Sequence, residues 1–99
     1  MARSTLTIEE AFIAQHPGSQ ARYERAVRDF PSGVTHDARY LRPFPLYVER
    51  ASGPKKWDVD GNELIDYAMG HGALLLGHAH PAIVEAVTAQ VQRGTHYGA

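Results

Sequence analysis

The sequence predicts an α+β chain: helices at the amino-terminal end, a small three-stranded antiparallel meander, a glycine loop and a following helix. Three observations carry this. Tyr23, Ala26, Val27 and Phe30 recur at i, i+3, i+4 and i+7, the spacing of one helical face. Two short apolar runs, Trp57-Asp58-Val59 and Glu63-Leu64-Ile65-Asp66-Tyr67, flank Asp60-Gly61-Asn62, a hairpin signature. Gly70, Gly72 and Gly77 then surround Ala73-Leu74-Leu75-Leu76, ahead of His78, His80 and Pro81. Glycines there let backbone approach a neighbour or a ligand closely.

Taken in order, Thr7-Ile8-Glu9-Glu10 fits a capping box and starts a helix over 8–15. Pro17-Gly18 stops it, and Ser19 can cap a second helix over 20–30, which Pro31 ends. Residues 31–45 are irregular and carry His36, Arg39 and Arg42. Exposed arginines on a solvated loop are the ordinary reading. The alternative is an anion-binding loop, because the planar guanidinium donates two parallel hydrogen bonds to a carboxylate. A strand over 46–51, the turn Ser52-Gly53-Pro54 and strands over 55–59 and 63–67 make the meander, with Trp57 as its apolar anchor. Pro81 opens the last helix, whose stripe Ile83, Val84, Val87 and Val91 reads as core packing to about Arg93, before Gly94.

Ninety-nine residues allow one small domain at most, and 43 % hydrophobic content is globular rather than disordered. Ten basic residues against eleven acidic ones leave a net charge of −1, with no basic face or run to suggest nucleic acid or a membrane surface. Zero cysteines exclude a disulfide framework, a thiolate metal site and a thiol nucleophile, and fit a cytoplasmic protein. The first residues lack the apolar core of a signal peptide, and no run approaches the roughly 18 apolar residues of a membrane span.

Four runs, in order, carry a resemblance: PLYVERASG, WDVDGNELIDY, LLLGHAHPAIVEAV and GTHYGA. Together they resemble the class III (fold type I) pyridoxal-phosphate aminotransferases, most of all the branch of glutamate-1-semialdehyde aminomutases and their aminotransferase relatives. The likeness covers roughly residues 23–99 and only the amino-terminal part of that family. The resemblance implies an enzyme moving an amino group between an amino compound and a carbonyl, on an amino acid or amino-aldehyde substrate. It implies pyridoxal phosphate as cofactor, a homodimer, and a role for this part in the small domain and the gate to the substrate. Arg39 falls on the position of the arginine that binds the substrate's carboxylate. His71 falls where an aromatic residue usually lines the substrate pocket. His36-Asp37 stands where a Ser-Pro pair is common, and with His71 it departs from the aminomutase pattern.

Pyridoxal-phosphate chemistry needs a lysine, an acid against the pyridine nitrogen and a cradle for the phosphate. The two lysines, Lys55 and Lys56, are adjacent on a predicted strand and read as solvated. The family's lysine, its pyridine-pairing Asp and its phosphate-binding turn lie further along a full-length enzyme. No catalytic or cofactor-binding residue is therefore assigned. His71, His78 and His80 weigh little as a metal site, since His80 sits at a helix start and no neighbouring carboxylate completes a set. Two expectations follow. Residues 1–99 form the amino-terminal segment of a pyridoxal-phosphate-dependent transferase without its large cofactor-binding domain, inactive alone and with apolar surface left wet. The alternative is a truncated, non-catalytic chain that binds a partner chain.

Overall fold

The computed structural model describes residues 5–98. Helix α1, Ile8–Gln15, starts at the expected capping box. The Thr7 hydroxyl accepts from the Glu10 amide at 3.1 Å, and the Glu10 carboxylate accepts from the Thr7 amide at 2.7 Å. The Thr7 amide first, and then the Thr7 hydroxyl, hold the Glu10 carboxyl below its usual range.

Helix α2, Pro17–Asp29, starts earlier than the expected 20–30. Pro17 does end α1, but its fixed φ and missing amide also suit the first position of the next helix. Ser19 is therefore no cap. It lies inside the first turn, fully buried, and its hydroxyl accepts from the Tyr47 amide at 3.0 Å. The cap comes from far along the chain instead. The Asp60 carboxylate accepts from the amides of Gly18 and Ser19 at 2.7 and 3.2 Å. It satisfies two orphan donors and meets the positive end of the helix dipole.

Strands β1 (Val48–Ser52), β2 (Lys55–Asp58) and β3 (Glu63–Ile65) pair antiparallel in that order, the expected meander. The strands β1 and β2 meet across a two-residue Gly53-Pro54 turn. Before β1, the Tyr47 carbonyl still accepts from the Val59 amide at 2.9 Å, and the register shifts between Val48 and Arg50. The connection from β2 to β3 is longer than Asp-Gly suggests. Trp57 opposes Glu63, and of the residues between them Gly61 alone takes a positive φ, 83°. The inside of this loop is filled by the Asp58 carboxylate. It accepts from the Asp60 amide at 3.0 Å, the Asn62 amide at 2.8 Å and the Asn62 side chain at 2.9 Å.

Asp58 is fully buried. Burial works against its charge, but the Asn62 and Asp60 bonds and the nearby His16 outweigh it, so its carboxyl sits below the usual range. His16 Nε2 lies 3.4 Å from Asp58, while His16 Nδ1 donates to the Phe12 carbonyl at 2.6 Å. The Asn62 side chain also donates to the Gln15 carbonyl at 3.2 Å. This polar cluster joins the helix pair to the hairpin. The apolar core beside it is small: Phe44, 3 % exposed, packs against Phe12 with ring centroids 5.2 Å apart. Trp57, expected as the anchor of the meander, is half-buried, with the Arg50 guanidinium stacked 3.7 Å from its ring centroid.

Helix α3, Pro81–Val91, begins with Pro81, and the His80 ring accepts from the Ala82 amide at 3.3 Å. Gly94 follows with φ 103°. The stripe Ile83, Val84, Val87 and Val91 is not core packing in this chain, because each of its residues is about half exposed. The physical reason is shape. The short sheet leaves no surface reaching α3, and the molecule extends over 56 × 34 × 19 Å. Its radius of gyration is 17.2 Å, against about 13 Å for a compact chain of this length. It exposes 8163 Å², against about 5,600 Å² for a compact monomer of its mass. With large apolar side chains such as the α3 stripe among that exposed surface, it marks a place where something else packs.

Candidate functional site

Pro31 ends α2, and the chain then makes two single turns, Pro31–Gly33 and Asp37–Arg39. The Tyr23 hydroxyl ties the first down by donating to the Ser32 carbonyl at 3.1 Å. The second is capped by His36, whose Nδ1 accepts from the Ala38 amide at 3.1 Å. Between these turns, the end of α2 and the first strands lies a cleft of about 910 Å³. Phe30, Val34, Leu41 and Leu46 wall it, while Arg39 and Lys56 bring positive charge to it.

Of the three cations suggested by sequence, this geometry separates the roles. His36 is engaged as a cap and lies 3.0 Å from Asp37. Arg39 lines the cleft, and its Nη1 donates to the Thr35 hydroxyl at 2.8 Å, which fixes one arm of the fork. Arg42, exposed like Arg39, lies outside the cleft lining. Arg39 is therefore a cation on irregular backbone beside an apolar hollow, an arrangement able to hold a carboxylate whose remaining atoms are greasy.

His71 lies elsewhere. It is exposed on the glycine loop and is not part of the Arg39 cleft. The loop is unusual in hand. Met69, Gly70, His71 and Gly72 all have positive φ, at 47°, 62°, 58° and 83°. For the two residues with a Cβ this costs on the order of 1–2 kcal/mol each. Internal bonds close the turn: the Gly72 amide donates to the Ala68 carbonyl at 3.0 Å, and the Leu74 amide to the Met69 carbonyl at 3.1 Å. Gly77 shows the close backbone approach expected of these glycines, since a Cβ there would stand 3.0 Å from the Cα of Gly53.

Asp66 holds the loop and was not singled out from sequence, where it reads only as a strand residue. Its carboxylate, 9 % exposed, accepts from the amides of Ala68 and Met69 at 2.9 and 3.1 Å. His78 Nε2 donates to its other oxygen at 2.6 Å, and Lys56 Nζ stands 3.7 Å away. The His78 bond above all, then the Met69 amide, against the opposing effect of burial, with the Ala68 amide and Lys56 adding to it, lowers the Asp66 carboxyl to about 2. A depressed folded-state value stabilises the fold above the unfolded value of about 4, and that contribution is lost as pH falls toward about 2. Between those limits, unfolding by denaturant should become easier with falling pH, and Asp66→Asn should flatten that slope. An unchanged slope in the variant would show that other carboxylates carry it.

Lys55 and Lys56 are both engaged. Lys55 Nζ is 3.3 Å from Glu63, and Lys56, half-buried rather than solvated, faces Asp66. Among the described residues, no three of His, Asp and Glu converge as metal donors, and no helix is long and apolar enough to cross a membrane.

Residues 36–99 match the sequence profile of class-III aminotransferases. The chain is 48 % identical over 80 residues to a glutamate-1-semialdehyde 2,1-aminomutase of Methanothrix thermoacetophila, covering 81 % of this chain and 19 % of that protein. A transaminase solved with pyridoxal phosphate bound superposes with a TM-score of 0.76 at 44 % identity, covering 84 % of this chain and 20 % of its own. The β-phenylalanine aminotransferase of Variovorax paradoxus superposes with a TM-score of 0.78 at 30 % identity, covering 90 % and 21 %. Helix pair, meander, left-handed glycine loop and closing helix are thus the amino-terminal architecture of fold type I pyridoxal-phosphate enzymes. The chain belongs to the class-III aminotransferase family. It spans about a fifth of the length of the curated relatives it matches.

Proposed function

We propose that this chain is the amino-terminal part of a pyridoxal-phosphate-dependent aminotransferase or aminomutase, working as a homodimer, that moves an amino group between an amino compound and a carbonyl. The observation that supports the reading is Arg39 at the rim of an apolar cleft, a forked cation suited to a substrate's carboxylate. In this role Arg39 grips the substrate's carboxylate in the cleft, and His71, outside that cleft's lining, meets the substrate from the glycine loop. The walls of Phe30, Val34, Leu41 and Leu46 suit a substrate whose carboxylate is joined to an apolar body. That favours an amino acid with an aryl or alkyl substituent, such as an aryl or alkyl β-amino acid, over a small polar amino-aldehyde.

The residues of this chain do not by themselves fit the cofactor. Its attachment needs a free lysine amine, and both lysines here are paired with carboxylates on or beside the meander. No step is routed through it, and the part described here is left to bind and orient substrate. The test is amino transfer by the full-length enzyme carrying this segment, offered glutamate-1-semialdehyde, β-phenylalanine and an aliphatic β-amino acid. Preference for either β-amino acid supports the substrate class proposed. Preference for glutamate-1-semialdehyde overturns that class but keeps the reaction, and turnover of none by the cofactor-loaded enzyme ends the reading.

A further inference from the structure

Asp66 stands where the entrance and exit of the glycine loop meet. At the entrance its Oδ1 accepts from the amides of Ala68 and Met69. At the exit its Oδ2 accepts from His78 Nε2 at 2.6 Å. The main chain of His78 is itself pinned, since its amide and carbonyl exchange bonds of 2.9 Å with Gly53 in the turn from β1 to β2. One carboxylate, nearly buried, thus joins both ends of a loop whose backbone is left-handed at four successive residues. Such a conformation persists only where its surroundings over-determine it. His71 is the third of those four residues, so its position follows the turn.

We propose that Asp66 and His78 are a positioning pair for this loop: the bond between their side chains holds the turn over 69–72 and so sets where the His71 imidazole stands. The proposal rests on His71 lining the substrate pocket. The pair acts through backbone. With His78 in place, the second oxygen of Asp66 is held and the carboxylate cannot rotate away from the Ala68 and Met69 amides. Without it, the second oxygen is unheld, and the carboxylate keeps only the two amides and Lys56 at 3.7 Å on its other oxygen, so the hold on the entrance weakens.

The experiment uses the full-length enzyme, with a carboxylated amine as substrate and hydrogen exchange measured at the amides of residues 69–72. His78→Ala should raise KM about tenfold with kcat little changed, because a displaced binding wall weakens substrate binding first. His78→Gln, whose amide reaches the place of Nε2, should recover most of that loss. Exchange at 69–72 should quicken in His78→Ala and stay as in the parent in His71→Ala. The double variant His71→Ala/His78→Ala should be no worse than the poorer single one, since both act on the same contact. Losses that multiply overturn the proposal, as does a fall in stability with KM unchanged. Should His71→Ala raise KM while exchange stays slow in His78→Ala, the pocket reading survives and the positioning pair falls. Should exchange quicken while His71→Ala leaves KM untouched, the reading of His71 fails, and the proposal with it.

Discussion

Residues 1–99 expressed alone are expected to retain no pyridoxal phosphate through borohydride reduction and to transfer no amino group above background. The loss is all or none, because attachment of the cofactor needs a lysine amine beside a phosphate cradle and an acid for the ring nitrogen. Lys55 and Lys56 alternate along a four-residue strand, so they cannot serve one site together. Each already faces a carboxylate, Glu63 and Asp66 respectively. The Lys55 pair is largely exposed and adds little stability, so stability alone would not prevent that amine from reacting. What this strand lacks is a setting that would make one amine selective. Mass spectrometry after reduction checks this: scattered low labelling of both lysines fits, whereas full labelling at one of them, together with turnover, would overturn it.

The surface points the same way. The stripe on α3, about half exposed, and Tyr67, Leu75 and Leu76 at 91, 90 and 61 % exposure are apolar surface left open among the described residues. A helix made only to face water would carry charge there, and α3 holds a single acidic residue, Glu85.

Much of the local structure was legible because its signals are local. Thr7 and Glu10 announce α1 within four residues, and Pro81 and Gly94 bracket α3. Alternation and turn residues announce the meander, though the loop after β2 followed the Asp58 carboxylate rather than the Asp-Gly pair. What could not be read were the contacts between distant polar residues. Asp60 caps a helix 42 residues before it, Ser19 receives the Tyr47 amide, and Asp66 receives His78. Nothing in their spacing names the partner, since a carboxylate serves any amide the fold brings near it. The stripe on α3 shows a second limit: periodicity says that a face wants covering, not which chain covers it. The two proposed site residues divide likewise. Arg39 and Arg42 are both fork-shaped cations on irregular backbone; the resemblance points to Arg39, and Arg39 is the one that lines the cleft. His71 stands out through the resemblance, which puts it at a pocket-lining position, and its left-handed backbone came from the structure.

In the full-length enzyme carrying this segment, Arg39→Ala should lower kcat/KM at least about 30-fold for a carboxylated amine, about 2 kcal/mol of transition-state binding. The same variant should hardly change the rate for an otherwise matched amine without the carboxylate. The asymmetry follows from the contact itself. Arg39 is exposed in this chain, so its charge-assisted bonds strengthen when the substrate's apolar body fills the cleft beside it and sheds water, and a substrate lacking the carboxylate never uses them. Arg39→Lys should recover only part of the loss, because an ammonium keeps the charge but not the two parallel donors. Thr35→Val should cost less than Arg39→Ala, as it frees the arm held at 2.8 Å without removing the cation. Arg42→Ala, outside the cleft lining, should affect neither substrate class. Equal losses on both classes with Arg39→Ala would make the residue a brace for the loop rather than a carboxylate receptor. Selective loss with Arg42→Ala instead would place the receptor three residues further on, where the loop turns toward Pro43.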